Sequence, residues 1–316
     1  MLPQLTLARG LSSWRLDPVA VAAVAVLGGA YGAGVVRLRR AGRRWPVART
    51  GAFVVLGLGT IVVATMSSLA VYDRVLFWPA AVQNILLDLL APLGLALGDP
   101  LGLAAGDGAL HRALTSLPAR VLTFPLVSSL VVLVSELTIY FTPYFTASLH
   151  HDAVRRLMQA QLLITGCLFV LPMLTGRDLL PRWCTHPVRA ALVFLDGLFD
   201  SVPGIVVMTS GTSVAGRWYA AQGRTWGPGV QQDQRLGGGL MLSLAELVAL
   251  PFLIAVFAEW WRADRARSRD LDARLDRELA PAAPAGGGVP GPGPDLVRPW
   301  WETEDGEVGR RMRDGR

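Results

Sequence analysis

Five carboxylates lie inside long apolar runs of this 316-residue chain: Asp88, Glu136, Asp196, Asp200 and Glu246. An ionised carboxylate at the centre of a bilayer costs at least about 2.5–3.5 kcal/mol on insertion scales, so each should be protonated, paired or facing water. No basic residue falls in the middle of a run to pair with them. Asn84 and Asp88 are four residues apart and share a helix face, with Gln83 beside it. Gln159, Gln161 and Met158, together with Met241, reach a similar level in their own runs. Three chemistries fit such a set. The groups can be interhelical glue, each bond contributing on the order of 1 kcal/mol. They can hold a metal ion or cofactor, or they can move protons or ions. Asp88, Glu136, Asp200 and Glu246 fall from mid-bilayer outward, with Asp196 one turn deeper, so a polar cavity open toward the exterior is expected.

Softer ligands are few. His150 and His151 adjoin just before the fifth run and could ligate one ion from a loop, whereas His111 and His186 stand alone. Methionines 66, 158, 208 and 241 offer thioethers of the kind that suit Cu(I), although core packing accounts for any single one. The metal candidates are therefore Met158, Met241, His150 and His151. Cys167 and Cys184 suit neither a disulfide framework nor a zinc site. There is no CxxC, no HxxxH, no phosphate-binding loop and no nucleophile elbow, so no catalytic residue is assigned and the expectation is a non-enzymatic protein.

The elements that must position these residues are membrane helices. The chain is 52% hydrophobic and only 17% charged, too apolar for an ordinary soluble domain. Apolar runs near 19–36, 50–72, 79–98, 121–141, 157–175, 188–209 and 238–260 approach or exceed the roughly 20 residues that cross a ~30 Å hydrocarbon layer. The runs are continuous rather than alternating, which excludes a barrel. The expected fold is an all-α polytopic bundle of seven spanning helices in the cell membrane.

All 30 basic residues are arginine, and the formal net charge is +6. They cluster at span ends rather than on one face, which points to anionic lipid and away from nucleic acid. The first loop, 37–49, carries six arginines. Taking it as cytoplasmic puts fifteen arginines in the loops and flank of that side and eight on the other, with the N-terminus outside and the C-terminus inside. No cleavable signal peptide is expected in residues 1–18, which carry Arg9 and Arg15.

Residues 1–260 form the membrane domain. Residues 261–280 read as a charged helical extension, with Trp260 and Trp261 anchoring at the interface. Residues 281–316 read as a disordered Pro/Gly-rich tail, whose Trp300–Trp301 pair is a docking peptide or an interfacial anchor. Gly28 with Gly32, and Gly94 with Gly98, form GxxxG pairs that predict close helix packing. Pro92, Pro172 and Pro203 predict kinks.

The order of segments resembles the seven-span CtaG family of cytochrome c oxidase assembly proteins, of the Gram-positive type. The resemblance rests on Arg43-Arg-Trp-Pro-Val-Ala-Arg49, Thr65-Met-Ser-Ser-Leu-Ala-Val-Tyr72, the run from Gln83 to Pro100, Thr142-Pro-Tyr-Phe145, Gly166-Cys-Leu-Phe-Val-Leu-Pro172 and Asp233-Gln-Arg-Leu-Gly-Gly-Gly-Leu-Met241. It implies a role in maturing a haem-copper oxidase, with oxidase subunits as partners and copper as cargo. The resemblance makes Asp233, Gln234, Gly237 and Gly238 family positions, whose glycines would set the passage from loop to helix. Where the family typically reads His-Met-x-Gln-His-Met-Leu-Leu in its third span, this chain reads Ala80-Ala-Val-Gln-Asn-Ile-Leu-Leu87, keeping Gln83 and losing both histidines. The fifth span has Met158 and Gln159 near the family's Glu-His pair. The residues also leave open a transporter that uses the carboxylates, or a scaffold that binds no ligand.

Overall fold

The computed structural model describes residues 2–103, 116–174, 184 and 186–279. Among them every regular element is helical. The principal helices are α1 (Pro18–Arg40), α2 (Val47–Tyr72), α3 (Phe77–Leu103), α4 (Pro125–Phe141), α5 (Tyr144–His150), α6 (Asp152–Leu174), α7 (His186–Thr209), α8 (Gly216–Ala221) and α9 (Val230–Leu279). Six are long and apolar enough to span a bilayer. A seventh span results if α4 and α5 count as one, and these are bent by 64° where Thr142 and Pro143 interrupt the helix. Residues 1–264 form one compact unit and 265–316 a second. The described side chains at 265–275 are exposed. His111 and the tail 281–316, with Trp300 and Trp301, lie outside the described residues.

The helices start and stop by local rules. Asp17 caps α1, its carboxylate accepting from the N–H groups of Val19 and Ala20 with Pro18 at the first position. Arg37, Arg39 and Arg40 occupy the last turn of α1, where cations suit the dipole. In α3, Pro92 cannot donate to the Asp88 carbonyl four residues earlier, and residues Leu86–Leu90 widen into a π-helical turn.

Glycine sets the closest crossings at two positions. A Cβ on Gly94 would overlap the backbone of Leu56 and Gly57, so α2 and α3 meet main chain to main chain. A Cβ on Gly166 of α6 would overlap the same Asp88 carbonyl that Pro92 leaves without its helical donor. The pair in α1 behaves differently: Gly28 faces Leu58, whereas nothing lies within 4 Å of a Cβ on Gly32. Gly32 therefore makes no close crossing among the described residues.

Two helices begin earlier than their apolar runs suggest. Helix α6 starts at Asp152 rather than 157, which brings Arg155 into its first turn, where it meets Asp73. Helix α9 starts at Val230 rather than 238, so Asp233, Gln234, Gly237 and Gly238 are helical and mark no passage from loop to helix.

Candidate functional site

Helices α3, α4 and α7 bring four carboxylates together in the bundle interior. Asp88, Glu136, Asp196 and Asp200 are 0%, 2%, 4% and 5% exposed, so none faces open water. Asp88 interacts electrostatically with Asp196, Glu136 with both, and Asp200 with all three. The space beside Asp196 and Asp200 is a cavity of about 20 Å³ otherwise walled by apolar side chains such as Leu93 and Phe252. The expected polar cavity open to the exterior is thus replaced by a packed core. A single run reports which residues are polar, but not how tightly neighbouring helices close over them.

Hydroxyls and amides hold these groups in place. Thr165 donates to Asp88 at 3.4 Å, and Ser129 donates to Asp196. Asn84 donates to the Tyr140 hydroxyl at 2.9 Å, one turn along α4 from Glu136. Gln161 donates to Ser135 at 2.8 Å and accepts from Tyr144 at 3.1 Å. Gln83 donates to the Ala64 carbonyl at 2.7 Å, tying α3 to α2, and Gln159 is half-buried. In this interior cluster Asn84 Oδ1, Asp88 Oδ2 and Glu136 Oε2 are buried acceptors with no hydrogen-bond partner among the described residues. Glu246 departs from the set. It is exposed on α9, where Ser201 of α7 donates to it at 3.2 Å.

A second polar layer closes one end of the bundle. Asp233 accepts from the N–H groups of Phe77 at 2.9 Å and Trp78 at 3.2 Å, satisfying the free donors at the start of α3. Gln234 accepts from Val214 N–H at 2.6 Å and donates to Val207 and Thr212 carbonyls at 3.0 Å each. Gly237 lies against the Phe77 ring and Gly238 against the backbone of Gly204 and Met208. These positions fasten α9 to α3 and α7. Nearby, Asp73 and Arg155 are each 5% exposed and meet at 2.8 Å. Burial pushes the Asp73 carboxyl up to about 6, against the pull of Arg155, Arg15 and Arg74. Neither member of this pair stands out in the sequence, where both read as ordinary loop charges. Opposite charges in loops on one side of the membrane were the available signal.

The metal candidates are scattered by environment. Met158 and Met241 are 4% and 0% exposed and belong to one apolar cluster with Phe77, Ala80 and Tyr140. His150 and His151 are exposed at the corner between α5 and α6, their rings 6.4 Å apart, with His150 4.5 Å from the Trp218 ring. Among the described residues, no group of three or more His, Cys, Asp or Glu side chains is placed to hold a metal ion.

Against known proteins, residues 29–263 match the model of the cytochrome c oxidase caa3 assembly factor family, Caa3_CtaG. The chain belongs to this family. The CtaG resemblance of the sequence is thereby confirmed, and the helices give the multi-pass membrane fold it implies. The chain is also 32% identical over 288 residues to uncharacterized proteins of Mycobacterium bovis and Mycobacterium tuberculosis, covering 87% of its own length and 43% of theirs. An uncharacterized Mycobacterium leprae protein is 29% identical over 289 residues, with 86% and 43% covered. The chain therefore spans less than half the length of the curated relatives it matches. No solved structure matches it.

Proposed function

We propose that this chain assists assembly of a haem-copper cytochrome c oxidase from within the plasma membrane, binding oxidase subunits rather than catalysing a reaction. The family match carries the reading, because it covers almost the whole bundle. The bundle supports it as a scaffold: its helices are fastened through Asp233, Gln234 and Gln83, while apolar faces such as Leu247, Leu250 and Ile254 on α9 are exposed to lipid or to a partner's helices. The arginine distribution favours an exterior N-terminus and a cytoplasmic C-terminus.

Copper delivery is the finer form of the reading, with Cu(I) as cargo held by Met158 and Met241 and passed near His150 and His151. Thioethers suit Cu(I), but these two are packed in an apolar cluster, and Ala80 and Asn84 stand where the family carries histidines. Those two facts favour docking over copper carriage. Cu(I) titration of the purified chain separates the two, stoichiometric binding supporting carriage and its absence supporting docking alone. The docking reading is tested by site-specific photocrosslinking from Leu250 in cells assembling the oxidase. A crosslink to an oxidase subunit supports it, and crosslinks to lipid alone contradict it.

A second reading is favoured by one observation. Asn84 Oδ1, Asp88 Oδ2 and Glu136 Oε2 lie buried without a donor, as expected where a proton or cation is shared among them. In that reading the chain conducts ions through the carboxylates. Flux in proteoliposomes that disappears in Asp88→Asn and Asp200→Asn supports conduction, and flux that persists removes it.

A further inference from the structure

Helix α1 leaves a groove against α6. The groove has a volume of about 460 Å³, within the roughly 300–1,000 Å³ of small-molecule sites. Leu27 and Ala30 of α1 face Cys167 and Leu171 of α6 across it. Its floor is Tyr31 stacked on Phe53 with ring centroids 3.9 Å apart. The Tyr31 hydroxyl is fixed there, donating to the Gly98 carbonyl at 2.9 Å and accepting from the Trp45 indole at 3.1 Å. This floor is already satisfied, so the remaining space calls for an apolar occupant.

The length and the charge of the groove identify that occupant. Leu27 and Arg37, at its two ends on α1, are ten residues apart, about 15 Å along a helix. That is half of a ~30 Å hydrocarbon core, the depth of one leaflet and so the reach of one acyl chain. Arg37 is the one charged residue in the lining. Its guanidinium donates to the Leu103 carbonyl at 3.1 Å and meets no carboxylate among the described residues. Arg39 and Arg40 stand exposed on the same turn. Ala30 and Ala33 are exposed, so the groove is entered sideways from the bilayer. An apolar slot with a guanidinium at its interfacial end matches a lipid with a negative headgroup, as basic pockets between membrane helices do generally.

We propose that this groove binds one acyl chain of an anionic phospholipid, with Arg37 on the headgroup phosphate. The test is native mass spectrometry of the delipidated full chain, titrated with dioleoyl phosphatidylglycerol or with dioleoyl phosphatidylcholine. One phosphatidylglycerol is expected to be retained in preference to phosphatidylcholine. Arg37→Ala should lower phosphatidylglycerol retention about five-fold, the effect of one interfacial arginine. Arg43→Ala, an exposed arginine outside the lining, should change nothing. Ala33→Trp or Ala30→Trp should fill the slot and lower retention of both lipids, and because both positions are exposed, two independent variants can be scored by size exclusion for folding. Equal retention of the two lipids by the wild type overturns the proposal. So does a retention that the tryptophan variants abolish but Arg37→Ala leaves unchanged, which would mark a neutral chain such as an isoprenoid.

Discussion

Arg155→Met is expected to destabilise the bundle by about 2–3 kcal/mol at pH 8, below the usual cost of breaking a buried ion pair from one side because the stranded carboxyl can take up a proton. Arg155 and Asp73 are both 5% exposed, the ion pair runs through Asp73 Oδ2, and Asp73 Oδ1 has no hydrogen-bond partner among the described residues. Removing the guanidinium therefore strands a carboxylate that burial already pushes up to about 6. Around it stand Arg15 and Arg74, the latter paired with Asp152, and the Tyr219 hydroxyl, which donates to the Asp73 backbone carbonyl at 2.9 Å. The folded value lies above the ordinary carboxylate range, so Asp73 contributes stability that is fully present below about pH 4. That contribution is lost as pH rises through about 6. Without Arg155 the carboxyl should rise further. The variant's deficit should then be small at pH 5, where Asp73 is protonated in both proteins, and largest at pH 8. Asp73→Asn placed in the Arg155→Met background should recover most of the loss. Denaturant unfolding in detergent micelles, followed by circular dichroism at pH 5, 6.5 and 8, measures each term. A loss below about 1 kcal/mol at pH 8, an equal loss at pH 5, or no recovery in the double variant refutes the reasoning.

Gly166→Ala should cost at least about 2 kcal/mol in the same unfolding assay, because its Cβ would overlap the Asp88 carbonyl, whereas Gly32→Ala should be tolerated. Equal effects of the two would contradict the proposed crossing of α3 and α6. Asp233→Ala leaves the buried Phe77 N–H and the part-buried Trp78 N–H without their acceptor and should lower stability by about 2–4 kcal/mol, with hydrogen exchange at those two amides accelerated. Unchanged exchange at those amides would count against the cap. Glu246→Leu removes an exposed carboxylate from the middle of α9, worth about 2.5–3.5 kcal/mol on insertion scales, so the variant should accumulate in membranes at or above wild-type level. Accumulation well below wild type would show that Glu246 is paired in the native assembly.

The spanning helices were legible because length and apolar continuity are properties of a single run. Helix ends were less so. Asp152, Arg155 and Arg156 look like loop charges, yet they are absorbed into α6 by partners at Arg74, Asp73 and Asp17 that lie far away in sequence. The carboxylates at 88, 136, 196 and 200 were visible as a problem for the bilayer, and the structure brings them together. Glu246 looks like one of them in the sequence because its depth is similar. Its outward direction depends on how α9 is rotated against α7, which no single run encodes. The Gly94 crossing follows from its GxxxG pair, while Gly32 carries the same motif and meets nothing among the described residues, since small residues permit a close approach without causing one.

The most direct measurement is the respiratory phenotype of a strain lacking this chain. Membranes from the deletion strain, compared with wild type and with a complemented strain, would be assayed for a-type haem in reduced-minus-oxidised spectra and for cytochrome c oxidase activity. The assembly reading predicts loss of both in the deletion strain and recovery on complementation. Normal haem spectra with full oxidase activity in the deletion strain would contradict it.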